Sequence, residues 1–229
     1  MNVESLIEGA PPPAPAIDFG YSERVSTHTP TQRVFLVRHG ETEWSLGGQH
    51  TGSTDIPLTE HGRDVARRLE PVLAQERFAL VLTSPMRRAR ATATLAGLGE
   101  LAETDSDLRE WNYGDYEGLT PNEIRGHAPD WNLFLDGAPH GESPDQVGAR
   151  ADRVIERVRA AHGDVALFAH GHLFRVLAAR WLGYPASDGC HFLLDTATLN
   201  VLSYDHGVPA IKRWNAPLGP RAEEGLEDA

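Results

Sequence analysis

An α/β protein is predicted, a three-layer α/β/α sandwich with a mostly parallel central sheet, and three observations predict it. Short apolar runs of strand composition alternate along the chain with amphipathic helix patterns, the order that places helices on both faces of a parallel sheet. The runs are apolar at consecutive positions, as in strands buried on both faces. Two helix patterns open on residues suited to a helix start, Thr59 as an N-cap and Pro85 in the first turn.

The elements follow in order. Val34-Phe35-Leu36-Val37 reads as the first strand and ends abruptly in Arg38-His39-Gly40. Behind Thr59, the residues Val65, Leu69, Val72 and Leu73 recur at helical spacing. "FALVLTS" (78–84) reads as the second strand and "PMRRARATATLAGL" as the helix after it. "SPDQVGARADRVIERVRAAH" (143–162) is a long amphipathic helix, "DVALFAH" (164–170) a third strand, and "GHLFRVLAARWLG" its helix. "ATLNVLSYD" and "PAIKRW" supply the final strands. Residues 1–32, with "GAPPPAPA" and "STHTPTQ", read as a Pro-rich flexible extension, and 217–229, with "RAEEGLEDA", as an acidic flexible tail. The domain is expected over 33–216, without internal repeats.

Composition narrows the function classes. With 40% of its 229 residues hydrophobic, the chain can bury the core of one large domain or two small ones. Its 33 acidic and 21 basic residues give a formal charge of −12, which argues against sequence-independent nucleic-acid binding but leaves room for a local cationic pocket. The single cysteine, Cys190, cannot form an internal disulfide, so nothing implies an oxidising compartment. No secretory signal and no run of membrane-span length is apparent, so a soluble, cytoplasmic protein without a membrane partner is the default expectation. Oligomeric state is not readable, and a homodimer stays open.

Three strand ends carry the chemistry. Arg38-His39, Ser84 leading into Arg87-Arg88, and His170-Gly171-His172 each follow a strand. In a parallel sheet these ends share one edge, where the first turns of the following helices present N–H groups that attract anions. Guanidinium forks match the oxygens of a phosphate. Arginines and histidines converging there point to a phosphate-type anion site.

At this point the motifs carry a resemblance. "LVRHGETEW", "TGSTDIPLTEHGRDVA", "TSPMRRARATA", "LREWNYGDYEGL", "GES" and "FAHGH", spread from Arg33 to Trp214 in the expected order, resemble the histidine phosphatase superfamily, also called phosphoglycerate mutase-like. Within it they most resemble bacterial acid phosphatases and the sedoheptulose-1,7-bisphosphatase type. The resemblance implies a phosphoglycerate mutase-like fold and a phosphomonoester hydrolase of small phosphorylated metabolites, with no cofactor and no metal. It implies that His39 is a nucleophile whose neutral imidazole attacks phosphorus and forms a phosphohistidine. Arg38 and Arg88 match the arginines that bind the phosphoryl oxygens. Glu110 matches the proton donor, and the aromatic residues of "EWNYGDYEG" are expected to wall it from solvent. His170 matches the second histidine, a donor to the phosphoryl oxygens, and Gly171 lets the backbone come close to that group.

Weaker expectations surround these. Thr42, Ser45, Thr51 and Gly52 stand where relatives contact substrate, although Ser45 replaces the Asn that many carry. Tyr113 is expected at the mouth, and His172 and Arg175 against a second anionic group of the substrate. Each has a structural alternative, as a loop residue or a helix-start surface residue. A phosphoglycerate mutase is the main alternative function. However, the segment from Tyr113 to Ser143 lacks the lysine and paired arginines with which mutases retain a bisphosphate. From other classes come a metal-binding protein built on the 11 histidines and a catalytically inactive phosphate-binding module. A divalent ion beside Arg38 and Arg88 would be repelled, and the inactive module is weakened by the presence of every core group.

Overall fold

The computed structural model describes residues 32–218. The extension expected over 1–32 and the tail expected over 217–229 lie outside the described residues, except for Gln32, Pro217 and Leu218. Gln32 already belongs to the body, its amide donating to the carbonyls of Val158, Ala161 and Gly163.

One sheet contains β1 (Val34–Arg38), β2 (Phe78–Thr83), β3 (Ala102–Thr104), β4 (Asp164–Ala169), β5 (Leu199–Asp205) and β6 (Val208–Ala216), in the order β3-β2-β4-β1-β5-β6. The first four run parallel, while β5 pairs antiparallel with β1 and β6 antiparallel with β5. The mostly parallel sheet expected from the sequence is present. Its last two strands form a hairpin through His206 and Gly207, both at positive φ (49° and 84°), the kind of two-residue turn whose twist suits paired strands.

The helices are α1 (Glu43–Gly47), α2 (Glu60–Arg67), α3 (Glu70–Leu73), α4 (Arg87–Leu95), α5 (Pro121–His127), α6 (Leu133–Asp136), α7 (Pro144–Ala160) and α8 (Gly171–Trp181). Thr59 caps α2 by accepting from the Gly62 N–H, as expected. The single helix read from Val65 through Leu73 is in fact two. Pro71 has no N–H to donate to the Arg67 carbonyl, and a turn separates α2 from α3. No helix among the described residues is long and apolar enough to cross a membrane.

Strand periodicity builds the three layers. Val34 and Leu36 of β1 enter the core cluster that contains Val147 and Val154 of α7 and Leu173 and Leu177 of α8. Phe35 and Val37, pointing the other way, enter the cluster that contains Leu73 of α3 and Ala93 of α4. Register then positions the site: Arg38 pairs with Ala169 and Thr83 with Phe168, so β1, β4 and β2 finish together. From β1 the chain runs on to α2, which packs on α4; from β4 it enters α8, which packs on α7. Neighbouring strands thus send their connections to opposite faces, which opens a crevice at their carboxyl ends.

Candidate active site

His39 lies at the floor of that crevice. Its N–H closes the β1–β4 ladder on the Ala169 carbonyl at 2.9 Å, and its Nδ1 is 2.7 Å from the Gly40 carbonyl. A carbonyl only accepts, so Nδ1 carries the proton and Nε2 carries the lone pair. Burial, and then the charges of Arg38 and Arg88, hold the imidazole pKa well below the usual 6.5. The ring is neutral at ordinary pH. Gly40 lets the first turn of α2 pack against the end of β1, since a Cβ there would sit 2.5 Å from the Gly62 carbonyl oxygen.

Arg38 reaches into the same cavity and donates through Nη1 to the Leu194 carbonyl. Its Nε is buried without a hydrogen-bond partner. An unmet buried donor costs roughly 1–3 kcal/mol, so it marks where an anion oxygen is expected. The guanidinium lies against Gly171, where a Cβ would be 3.2 Å from both Cζ and Nε. The bare backbone expected at Gly171 therefore makes room for Arg38.

Arg88 is fully buried beside this cavity. Nη1 donates to the Thr54 carbonyl at 2.9 Å, Nη2 to those of Thr51 and Gly52 at 3.0 Å each, and Nε to His170 Nδ1 at 3.3 Å. Four of its five N–H groups brace the 51–54 loop and His170. Because His170 Nδ1 accepts, its Nε2–H is the donor, and it rests on Ser84 Oγ at 2.8 Å. The two imidazoles of His39 and His170 meet edge to face, with centroids 5.2 Å apart. Burial, followed by the charge of Arg88, holds His170 well below 6.5 as well.

Glu110 lines the cavity and is only 8% exposed, so the expected screening from solvent is present. Trp111 and Tyr113 beside it are fully buried or nearly so. Oε1 accepts from the N–H groups of Trp111 (3.0 Å) and Leu173 (2.9 Å), and Oε2 from that of His172 (3.1 Å). The carboxyl group thus sits on the first turn of α8, its oxygens met by backbone N–H groups. Tyr113 Oη is 2.6 Å from His172 Nδ1. Burial raises the Tyr113 phenol well above 10, so it remains protonated.

His172 and Arg175 line the outer part of the cavity together with His50 and Gln49. Arg175 donates to the carbonyls of Gly189 and Cys190 and lies 4.4 Å above the Phe134 ring. A second recess shares His50, Pro121, His172 and Arg175 with the first and adds Trp131, Phe134 and Arg125. Thr51 and Ser45 also line the main cavity. Ser45 Oγ is taken up locally, donating to the Thr42 carbonyl and accepting from the Thr42 N–H. Thr42 itself is fully buried as the N-cap of α1, so its hydroxyl does not reach the cavity. Gly52 is held from behind: its N–H donates to Glu117, and a Cβ would meet the Trp111 carbonyl at 2.5 Å.

Sequence reasoning passed over His50 and Glu117 and placed Ser84 at a strand end without giving it a partner. His50 donates from Nδ1 to the Leu119 carbonyl at 2.9 Å and stacks on His172 with centroids 5.8 Å apart. Its one signal in the sequence is its place immediately before the motif "TGSTDIPLTEHGRDVA".

Four buried imidazoles give the site a signature in stability. His39, His170 and His172 are held well below 6.5 and His50 below it, burial being the first cause in each. The unfolded chain takes up protons near 6.5 that the folded chain refuses. Their contribution is therefore fully present above pH 6.5 and is lost as pH falls below it, by up to about 1.4 kcal/mol per pH unit for each group. Thermal melting followed from pH 7.5 to 5 is expected to show a falling Tm with onset near 6.5. A flat profile would mean that these rings protonate freely in the folded protein.

The family model of the histidine phosphatase superfamily (branch 1) matches residues 34–217, nearly the whole described chain. The chain belongs to the histidine phosphatase superfamily. Among relatives in this superfamily, an acid phosphatase of Mycobacterium tuberculosis is 41% identical over 180 residues, covering 77% of this chain and 88% of its own. A sedoheptulose 1,7-bisphosphatase of Saccharomyces cerevisiae is 38% identical over 216 residues, covering 80% and 79%. These are the two groups that the motifs resemble. A mycobacterial glucosyl-3-phosphoglycerate phosphatase solved in complex with VO3 superposes with a TM-score of 0.72 at 33% identity, covering 81% of this chain and 99% of that one.

Proposed function

We propose that this histidine phosphatase hydrolyses phosphomonoesters of small metabolites through a phosphohistidine on His39. The observation that carries the reading is the pairing of a neutral, Nδ1-protonated His39 with the unpartnered Nε donor of Arg38 in one cavity. Nε2 of His39 attacks phosphorus while the ester P–O bond breaks, and Glu110 gives its proton to the leaving oxygen. Water then attacks the phosphohistidine, Glu110 takes back a proton, and inorganic phosphate leaves with His39 neutral again. Arg38 supplies hydrogen bonds to the phosphoryl oxygens. Arg88 supplies charge and holds His170 and the loop that carries Thr51 and Gly52.

The substrate class is a sugar phosphate or sugar bisphosphate. Two relatives bear names of that chemistry, a sedoheptulose 1,7-bisphosphatase and a glucosyl-3-phosphoglycerate phosphatase. The recess beside the cavity, with Trp131 for a sugar face and Arg175 and Arg125 for a second anionic group, favours the same class. His172, held by Tyr113, lines both the cavity and the recess and orients the part of the substrate that passes from one to the other.

A panel of phosphorylated metabolites, assayed by phosphate release with chelator present, tests the reading. Arginines offset the phosphate charge, so turnover is expected to survive exhaustive chelation, with vanadate and phosphate competing against substrate. Loss on chelation with recovery on Zn²⁺ or Mg²⁺ would favour a metal hydrolase instead.

A further inference from the structure

Glu110 lies in a stretch with no ladder to hold it. Between the short 3₁₀ turn at Ser106–Leu108 and the next at Gly114–Tyr116, the chain has neither helix nor strand. A general acid must nevertheless be placed to a fraction of an ångström, because a misplacement of about 1 Å can cost on the order of 10²-fold in rate.

The stretch is held by one ion pair on its far side. Arg150 of α7 donates from Nε to Glu142 Oε1 at 2.7 Å and from Nη2 to Glu142 Oε2 at 2.9 Å, a two-point fork. The other edge of the same guanidinium reaches the Asp107 carbonyl at 2.7 Å, the Arg109 carbonyl at 3.0 Å and, more loosely, the Glu110 carbonyl at 3.4 Å. Glu142 completes the grip. Its Oε2 accepts from the Asn112 N–H at 2.9 Å, its carbonyl from the Trp111 indole at 2.8 Å, and its N–H donates to the Asn112 carbonyl at 2.9 Å. The Arg150 and Glu142 side chains are 12% and 21% exposed, so water competes weakly. Glu110 is thus fixed at both ends, its backbone by the pair and its carboxylate by the first turn of α8. Neither Arg150 nor Glu142 lines the cavity that contains His39.

We propose that Arg150 and Glu142 are positioning residues for Glu110, setting the reach of its carboxyl to the leaving oxygen. This rests on the reading of Glu110 as the general acid. Two variants test it, Arg150→Lys, which keeps the charge and removes the fork, and Glu142→Gln, which keeps the shape and removes the charge. Glu110→Gln serves as reference. Single-turnover formation of the phosphoenzyme is measured with an alkyl phosphate and with p-nitrophenyl phosphate, whose phenolate leaves without a proton. Both variants are expected to slow the alkyl phosphate by roughly 10–100-fold. They should slow the nitrophenyl ester far less and leave KM for either nearly unchanged. If Arg150→Lys fails to fold, the isosteric Glu142→Gln decides alone, with its melting temperature recorded. Equal slowing of both substrates, or none, overturns the positioning role while Glu110→Gln still discriminates between them. Should Glu110→Gln itself fail to discriminate, the acid reading falls and the positioning role falls with it.

Discussion

His39→Ala is expected to lower turnover by on the order of 10⁴-fold or more, the scale seen when an enzymatic nucleophile is removed. His50 lines the same cavity and also donates from Nδ1 to a carbonyl, but the charges that act on it are those of Glu110 and Glu117, whereas Arg38 and Arg88 act on the His39 ring. His170 has its Nδ1 against Arg88 and its Nε2 against Ser84, and the outer His172 meets Tyr113. The fold should survive, because the His39 ring makes one side-chain hydrogen bond, to the adjacent Gly40 carbonyl, and the strand below it is held by backbone pairing with β4. Circular dichroism should therefore be unchanged. Removing a buried ring that resists protonation should also reduce the loss of stability below pH 6.5. Turnover near that of the parent would remove His39 from the reaction.

Glu110→Gln is expected to act through the leaving group. With sugar phosphates, whose alkoxide needs a proton, phosphoenzyme formation should slow by about 10²-fold or more. With p-nitrophenyl phosphate it should slow much less, and burst kinetics are needed because the second step also uses Glu110. The structure adds a side effect to be separated from the chemistry. Both carboxylate oxygens accept N–H bonds from the first turn of α8 and from Trp111, and a glutamine side chain has only one accepting oxygen. One N–H would face an amide NH₂, costing about 1–3 kcal/mol, enough to lower Tm by several degrees without unfolding the domain. Equal slowing for both leaving groups would leave Glu110 as a helix-capping group with no acid role.

What was legible in the sequence follows a physical pattern. β1, β2 and β4 were visible because central parallel strands are apolar at consecutive positions, and their polar ends exposed the site. Arg38, His39 and Glu110 line the cavity, as the motifs implied. β3 escaped notice because it is three residues long and carries Glu103 and Thr104 on an exposed edge. The break between α2 and α3 had a local signal in Pro71. Thr42 and Ser45 stand where relatives contact substrate, with a loop role as the alternative; a Thr followed three residues later by a hydroxyl also fits a reciprocal cap, which the two form here while Ser45 still lines the cavity. The orientation of Arg88 was not readable at all. It depends on three carbonyls of the 51–54 loop, more than thirty positions away, and that loop is in turn held by Glu117. The grip of Arg150 on Glu142 and the Glu110 stretch is hidden for the same reason, since an arginine on an amphipathic helix ordinarily points to water.

The covalent intermediate is the central claim, and rapid quenching tests it most directly. Enzyme mixed for milliseconds with a ³²P-labelled substrate and stopped in alkali is expected to carry a base-stable, acid-labile label on the peptide containing His39, formed at least as fast as turnover and absent from His39→Ala. Turnover without any labelled protein, or a label on another residue, would contradict the account.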